Sequence, residues 1–206
     1  MKSSYLRAGL ALLCAVILSA CGGNDGSLSL SGTITYNGPA KSGLVLINKG
    51  NGEKLTVADG ATSFVFTKLM AQDEQFDVEV DTQPTGANCV LSNNNNKANV
   101  YTVYYVAVTC TANPYNLGGT VHNLKGKGMV LANGTDRVGV LPSTTSPGAD
   151  VTFIFPTKVS NGSLYGATVA VQPDGQTCAV DPSNNPGIMP NFDGLGLIVN
   201  CVDNTK

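Results

Sequence analysis

The sequence predicts an all-β fold of two tandem antiparallel β-sandwich modules, and three observations carry that prediction. The first is composition: 206 residues include 24 Gly and 10 Pro, only 13% are charged, and there is no Trp. Low charge with abundant Gly, Asn, Thr and Val suits short strands joined by tight turns. The second is pattern, because no segment carries a helical period of useful length, whereas short alternating or apolar runs recur. The third is an internal repeat. "SGTI" at 31–34 matches "GGTV" at 118–121, and "GLVLIN" at 43–48 matches "GMVLAN" at 128–133. "FVF" at 64–66 matches "FIF" at 153–155, and Phe76 and Tyr165 follow at the same spacing. "QPTGANC" at 83–89 matches "QPDGQTC" at 172–178, and "VAVTC" at 106–110 matches "LIVNC" at 197–201. The repeat divides the chain into modules at 28–112 and 113–206.

In the first copy, strands are expected at 30–36, 43–48, 54–58, 63–67, 75–83, 88–92 and 100–110. Asn51-Gly52 and Asn133-Gly134 have the positive-φ chemistry of tight hairpins between the second and third strands of each copy. Gln83-Pro84-Thr85-Gly86 and Gln172-Pro173-Asp174-Gly175 put Pro second and Gly fourth, the preference of a type I turn. "NNNN" at 93–96 is expected to be a solvated loop. In the last strand, alternation places Val106, Val108 and Tyr104 on the face of Cys110, leaving Tyr101, Val103 and Tyr105 on the other. That outward stripe, absent from the second copy, is expected to be covered by the neighbouring module or to form a contact surface for a partner.

Residues 1–20 read as a signal peptide: Lys2 and Arg7 precede a short apolar run that ends in Ser19 and Ala20. The run is too short for a membrane span, which needs about 20 apolar residues. Leu18-Ser19-Ala20-Cys21 resembles the lipobox of bacterial lipoproteins at all four positions. The resemblance implies that Cys21 becomes the mature N-terminus and carries a thioether-linked diacylglycerol, usually with a third acyl chain such as palmitate on its amine. Two or more chains give stable anchoring where one does not. Family sorting rules applied to Gly22 imply the outer membrane, with 21–27 as the lipidated cysteine and a flexible tether. The repeated modules, with several short strands each, look like the tandem immunoglobulin-like or fibronectin-III-like units of bacterial surface proteins.

Six cysteines are present. Cys14 leaves with the signal and Cys21 takes lipid, so Cys89, Cys110, Cys178 and Cys201 remain in an exported chain. Four cysteines allow three pairings, and the equivalent positions in the two copies select Cys89–Cys110 and Cys178–Cys201. Each bridge closes a loop of roughly 20 residues and contributes about 3 kcal/mol in the chain-entropy model.

The remaining residues narrow the function. Of 12 Lys+Arg, Lys2 and Arg7 leave with the signal, so 10 basic side chains face 14 acidic ones. That balance argues against nucleic acid, whose binding rests on Lys/Arg neutralising phosphate. His122 is the only histidine, which leaves little material for a zinc site or a Ser–His triad. Asp77, Glu79 and Asp81 alternate with Val78 and Val80 and are expected to form a solvated strand face rather than a calcium site. "LKGKGM" around Lys125 and Lys127 has the composition of an anion nest but no following helix, and is expected to be a hairpin loop. Residues 141–152 stand where 58–63 stand in the first copy, 12 against 6, and "LPSTTSPGAD" within them is expected to be either an exposed turn lengthened by neutral drift or a recognition loop. No cofactor, metal or catalytic residue is expected. The expected function is a membrane-anchored envelope lipoprotein acting as a non-catalytic binding or structural component, with an envelope or surface protein or a glycan as partner. The alternative is an accessory subunit of an envelope assembly or secretion machine, and a hydrolase is the least supported class.

Overall fold

The computed structural model describes residues 26–205. The signal peptide, Cys21 and most of the expected tether therefore lie outside the described residues. Module 1 comprises β1 (Leu28–Asn37), β2 (Val45–Asn48), β3 (Glu53–Thr56), β4 (Ser63–Met70), β5 (Gln75–Thr82), β6 (Ala87–Ser92), β7 (Asn95–Lys97) and β8 (Val106–Ala112). Its two sheets have the orders β4-β1-β8-β6 and β3-β2-β5-β7. Module 2 comprises β9 (Pro114–Tyr115), β10 (Leu117–His122), β11 (Met129–Asn133), β12 (Asp136–Val140), β13 (Val151–Ile154), β14 (Val159–Ser160), β15 (Leu164–Tyr165), β16 (Ala167–Val171), β17 (Gln176–Val180), β18 (Gly187–Ile188) and β19 (Gly194–Asp203). Its sheets β13-β10-β19-β17 and β12-β11-β16 repeat the arrangement, with short pairs β14–β9 and β15–β18 at the edges. The fold is all-β, with two tandem sandwiches.

Each module has its own core, built largely on alternate inward residues of the sheet that holds its first and last strands. Leu30, Ile34, Phe64, Phe66, Val106 and Val108 point inward in module 1, and Leu117, Val121, Phe153, Phe155, Leu197 and Val199 do so in module 2. The two phenylalanines of each FxF motif meet edge to face, at 5.9 Å in module 1 and 5.7 Å in module 2. The expected disulfides form. Cys89 lies directly opposite Cys110 on β6 and β8, and Cys178 opposite Cys201 on β17 and β19. Each bridge therefore staples neighbouring strands of one sheet rather than joining the two sheets.

Four expectations about elements need correction. The sandwiches are not wholly antiparallel, because the first and last strands of each module pair in parallel, β1 with β8 and β10 with β19. That pairing makes the chain enter a module at one end and leave at the other, so the modules run on end to end. Asn95–Lys97 is a strand on the edge of β5, with Phe76 opposite Asn96. The Gln-Pro turns are shifted by one residue: Ala87 N donates to Pro84 O and Gln176 N to Pro173 O, with Gly86 at φ +80° and Gly175 at φ +69°. Glycine thus takes the third position, where a type II turn requires φ > 0. Finally, the strand expected at 100–110 begins only at Val106, because a 3-10 turn, Thr102–Tyr104, precedes it.

The repeated glutamine in QPxGxxC has a role that its spacing alone does not reveal. Gln83 Nε2 donates to Cys89 O at 2.9 Å, and Gln83 Oε1 accepts from Cys89 N at 2.7 Å. Gln172 makes the same pair of bonds to Cys178. The side-chain amide imitates a strand and completes the exposed edge of the cysteine strand.

The junction between modules is short. β8 runs through Asn113 into β9; Asn161 N donates to Asn113 O, and Asn113 N to Gly86 O. A Cβ at Gly86 would collide with the Asn161 side chain, so module 2 is seated directly on the Gly86 turn.

Candidate functional site

Two regions separate from the repeated scaffold, one at each end of the chain path. At the start of module 1, the turn at 99–105 is built by local hydrogen bonds. Asn99 Oδ1 accepts from Tyr101 N and Thr102 N at 2.9 and 3.1 Å, and Thr102 Oγ1 donates to Lys97 O at 2.6 Å. This turn breaks the two-residue alternation on which the outward stripe was based. Tyr101 and Tyr105 are exposed as expected, but Val103 is fully buried in the module 1 core. Tyr104, expected inside, is exposed instead. Val103 thus plugs the turn into the core, while three tyrosines point away from it. The neighbouring module does not cover them, since it sits at the other end of β1.

At the far end of module 2, the loop after β12 forms one wall of a groove of about 440 Å³. Leu141, Pro142, Ser143, Thr144 and Pro147 face Lys125 and Lys127 across it. The loop is fastened at its base. His122 Nδ1 and Asp150 Oδ1 are hydrogen-bonded at 2.7 Å, and Ser143 Oγ accepts from Ser146 N.

The opposite wall rests on Gln176, a residue that reading the sequence passed over. Its Oε1 accepts from Lys125 N and Gly126 N at 2.7 and 3.0 Å, and its Nε2 donates to Asn123 O and Asp203 Oδ1. The backbone amides that composition offered to an anion are therefore occupied by a side chain. The signal was present: within otherwise matching motifs, Gln176 stands where the first copy has Ala87. Lys125 Nζ pairs with Asp203 at 2.6 Å, and that hydrogen bond, followed by the one from Gln176, holds the Asp203 carboxyl below its ordinary range. Lys127 has no ion-pair partner among the described residues. The groove therefore offers an apolar wall, hydroxyls and one free ammonium.

The other candidate groups are engaged in the scaffold. Lys49 pairs with Glu79 at 2.6 Å and Lys54 with Asp81 at 2.7 Å, so two carboxylates of the alternating β5 face are held by lysines of the β2–β3 hairpin. Val78 is buried on the opposite face, as alternation requires. His122 and Asp150 make two members of a hydrolytic triad, but among the described residues no hydroxyl or thiol is hydrogen-bonded to the imidazole.

No family model matches the chain, and no curated protein matches it. Among solved structures, it is similar to two B repeat units of the collagen binding protein of Staphylococcus aureus, at 15% identity and a TM-score of 0.26. That match covers 86% of this chain and 50% of the other, so the chain spans half the length of that fragment. It is also similar to the shaft pilin SpaA of Lactobacillus rhamnosus GG, at 11% identity and a TM-score of 0.26, over 86% of this chain and 99% of that one. The third is the major pilin protein of Streptococcus pyogenes, at 10% identity and a TM-score of 0.30, over 86% and 97%. The assignment of tandem sandwiches rests on the strand order and the two separate cores described above.

Proposed function

We propose that this chain is a lipid-anchored component of the bacterial cell envelope, held in the outer membrane through Cys21, whose role is to bind rather than to catalyse. The observation that carries the binding role is the groove beneath the 141–152 loop. It is built by the segment in which the second copy departs most from the first, on a scaffold that is otherwise repeated. Recognition usually sits on loops held by a rigid framework. Two disulfides per chain support passage through an oxidising compartment. The fitting ligand class is a protein segment or glycan with an apolar body and an acceptor group that reaches Lys127.

The test has two arms. Intact protein should partition with membranes and label with palmitate, and Cys21→Ser should lose the label; continued acylation of that variant contradicts the anchor. In the second arm, residues 141–152 are replaced by the 58–63 segment of the first copy. Loop closure entropy changes only logarithmically with length, so the melting temperature should stay nearly constant. A partner captured from envelope extracts by intact protein should be lost, and undiminished capture by the trimmed protein would remove the groove from the account.

A further inference from the structure

The exposed tyrosine turn lies at the end of module 1 where the described chain begins. Gly26 packs against the backbone of Leu69 and Met70. The bend that follows, at 71–74, is hydrogen-bonded to the residue that leads into the tyrosine turn: Asp73 N donates to Ala98 O at 2.8 Å and Ala98 N to Glu74 O at 2.7 Å. Val100, Tyr101, Tyr104 and Tyr105 are then exposed at 58%, 73%, 58% and 62%. The parallel pairing of β1 with β8 sends the chain out towards module 2 at the opposite end.

From this placement we infer that the Val100–Tyr105 turn is a membrane-contact surface, seated in the headgroup layer of the bilayer that holds Cys21. The inference rests on the lipid-anchor reading. Five chain steps separate Cys21 from Gly26, and at about 3.3–3.6 Å per residue they span at most about 18 Å. The headgroup layer itself takes up roughly 5–8 Å on each side of a bilayer. A chain that short keeps this end of module 1 beside the lipid surface. What it presents there is the side chain most suited to that boundary, since tyrosine joins an apolar ring to a polar tip and concentrates at membrane interfaces. Rigidity adds to the case: Val103 in the core and the Asn99 and Thr102 hydrogen bonds fix the backbone of the turn, which leaves less to order on contact. Among the described residues, the segments hydrogen-bonded to this turn, 71–74 and 97–98, carry Lys97, Asp73 and Glu74, so no cluster of cations stands there. Attraction to anionic lipid is therefore not the driving force, and a zwitterionic surface is the fitting one.

The chain has no tryptophan, so a single one reports without background. Lipidated Tyr104→Trp protein is reconstituted into phosphatidylcholine vesicles, with Leu141→Trp as the control at the far end. Palmitate label and flotation with vesicles are measured on the same samples. The expected result is a blue-shifted Tyr104→Trp emission, quenched roughly twofold or more by headgroup-labelled lipid, with Leu141→Trp unquenched. Emission at position 104 that stays water-like in labelled, floating protein overturns the membrane contact and leaves the anchor standing. A blue shift without lipid quenching overturns it in favour of a protein occupant. Absence of label and flotation overturns the anchor, and the inference with it.

Discussion

The two modules share a scaffold down to individual hydrogen bonds, and they differ where it is modified. Both clamp a cysteine strand with a glutamine amide, and in both a carboxylate of the second sheet's β-hairpin accepts hydrogen bonds from backbone N–H groups, those of β4 in module 1 and of the bend after β13 in module 2. In module 1, Glu53 does this from a buried position, accepting from Thr67 N, Thr67 Oγ1 and Lys68 N at 2.7, 2.7 and 3.1 Å. In module 2, Asp136 reaches Thr157 N at 2.9 Å from a more exposed site. Likewise Asn48 Oδ1 accepts from Gly50 N and Asp77 N, and Asn133 Oδ1 accepts from Gly166 N. Module 1 is the tighter version. Module 2 has exchanged some of that closure for a longer loop, a glutamine in place of Ala87 and an open groove. The difference teaches that the repeat marks what the fold requires and departures from it mark what is free for function.

Breaking the carboxylate fastener should give the largest contrast. Removing one partner of a buried, charge-assisted network costs about 1–3 kcal/mol, so Glu53→Gln should lower stability by that amount, and Asp136→Asn by well under half of it. Chemical denaturation of each variant measures both. The pH dependence has a definite sign. Burial alone would raise the Glu53 pKa, but the bonds from Thr67 and Lys68 outweigh it and hold the carboxyl below its ordinary range. A depressed folded pKa contributes stability above the unfolded value of about 4.3, and that contribution is lost as pH falls through the folded value. Acid titration of wild type should therefore show a loss below about pH 4 that Glu53→Gln lacks.

The matched turns sharpen the comparison at a smaller scale. Gly86 and Gly175 occupy the same turn position with positive φ, but a Cβ at Gly86 meets Asn161, whereas nothing lies within 4 Å of one at Gly175. Gly175→Ala should cost only left-handed backbone strain, about 1–2 kcal/mol. Gly86→Ala should cost visibly more and should loosen the junction, read as faster hydrogen exchange at Asn113 and Asn161. Equal costs would show that module 2 is not seated on the Gly86 turn.

Much of this architecture is legible in the sequence. Period-two patterning located most strands to within a few residues, and the repeat paired the cysteines, because both reflect constraints that act on every copy. What the pattern missed was local chemistry. Asn99 and Thr102 exchange side-chain-to-backbone hydrogen bonds that lead the chain into a 3-10 turn, which changes the period and carries Val103 inward and Tyr104 outward. Asn95–Lys97 lacks apolar alternation because all three residues lie on an exposed edge strand. The 141–152 insertion was visible as extra length, but its opposite wall was not, since Gln176 reaches Lys125 across 51 positions of sequence.

The central proposal is that recognition belongs to the module 2 groove rather than to the repeated scaffold. Site-specific photocrosslinking in cells tests it most directly, with the crosslinker placed at Leu141 and, in parallel, at Ala58, the corresponding point in module 1. The account predicts a discrete adduct from Leu141 that disappears when Gln176→Ala releases the opposite wall, and none from Ala58. Adducts of the same species from Ala58, or a Leu141 adduct indifferent to Gln176→Ala, would contradict it.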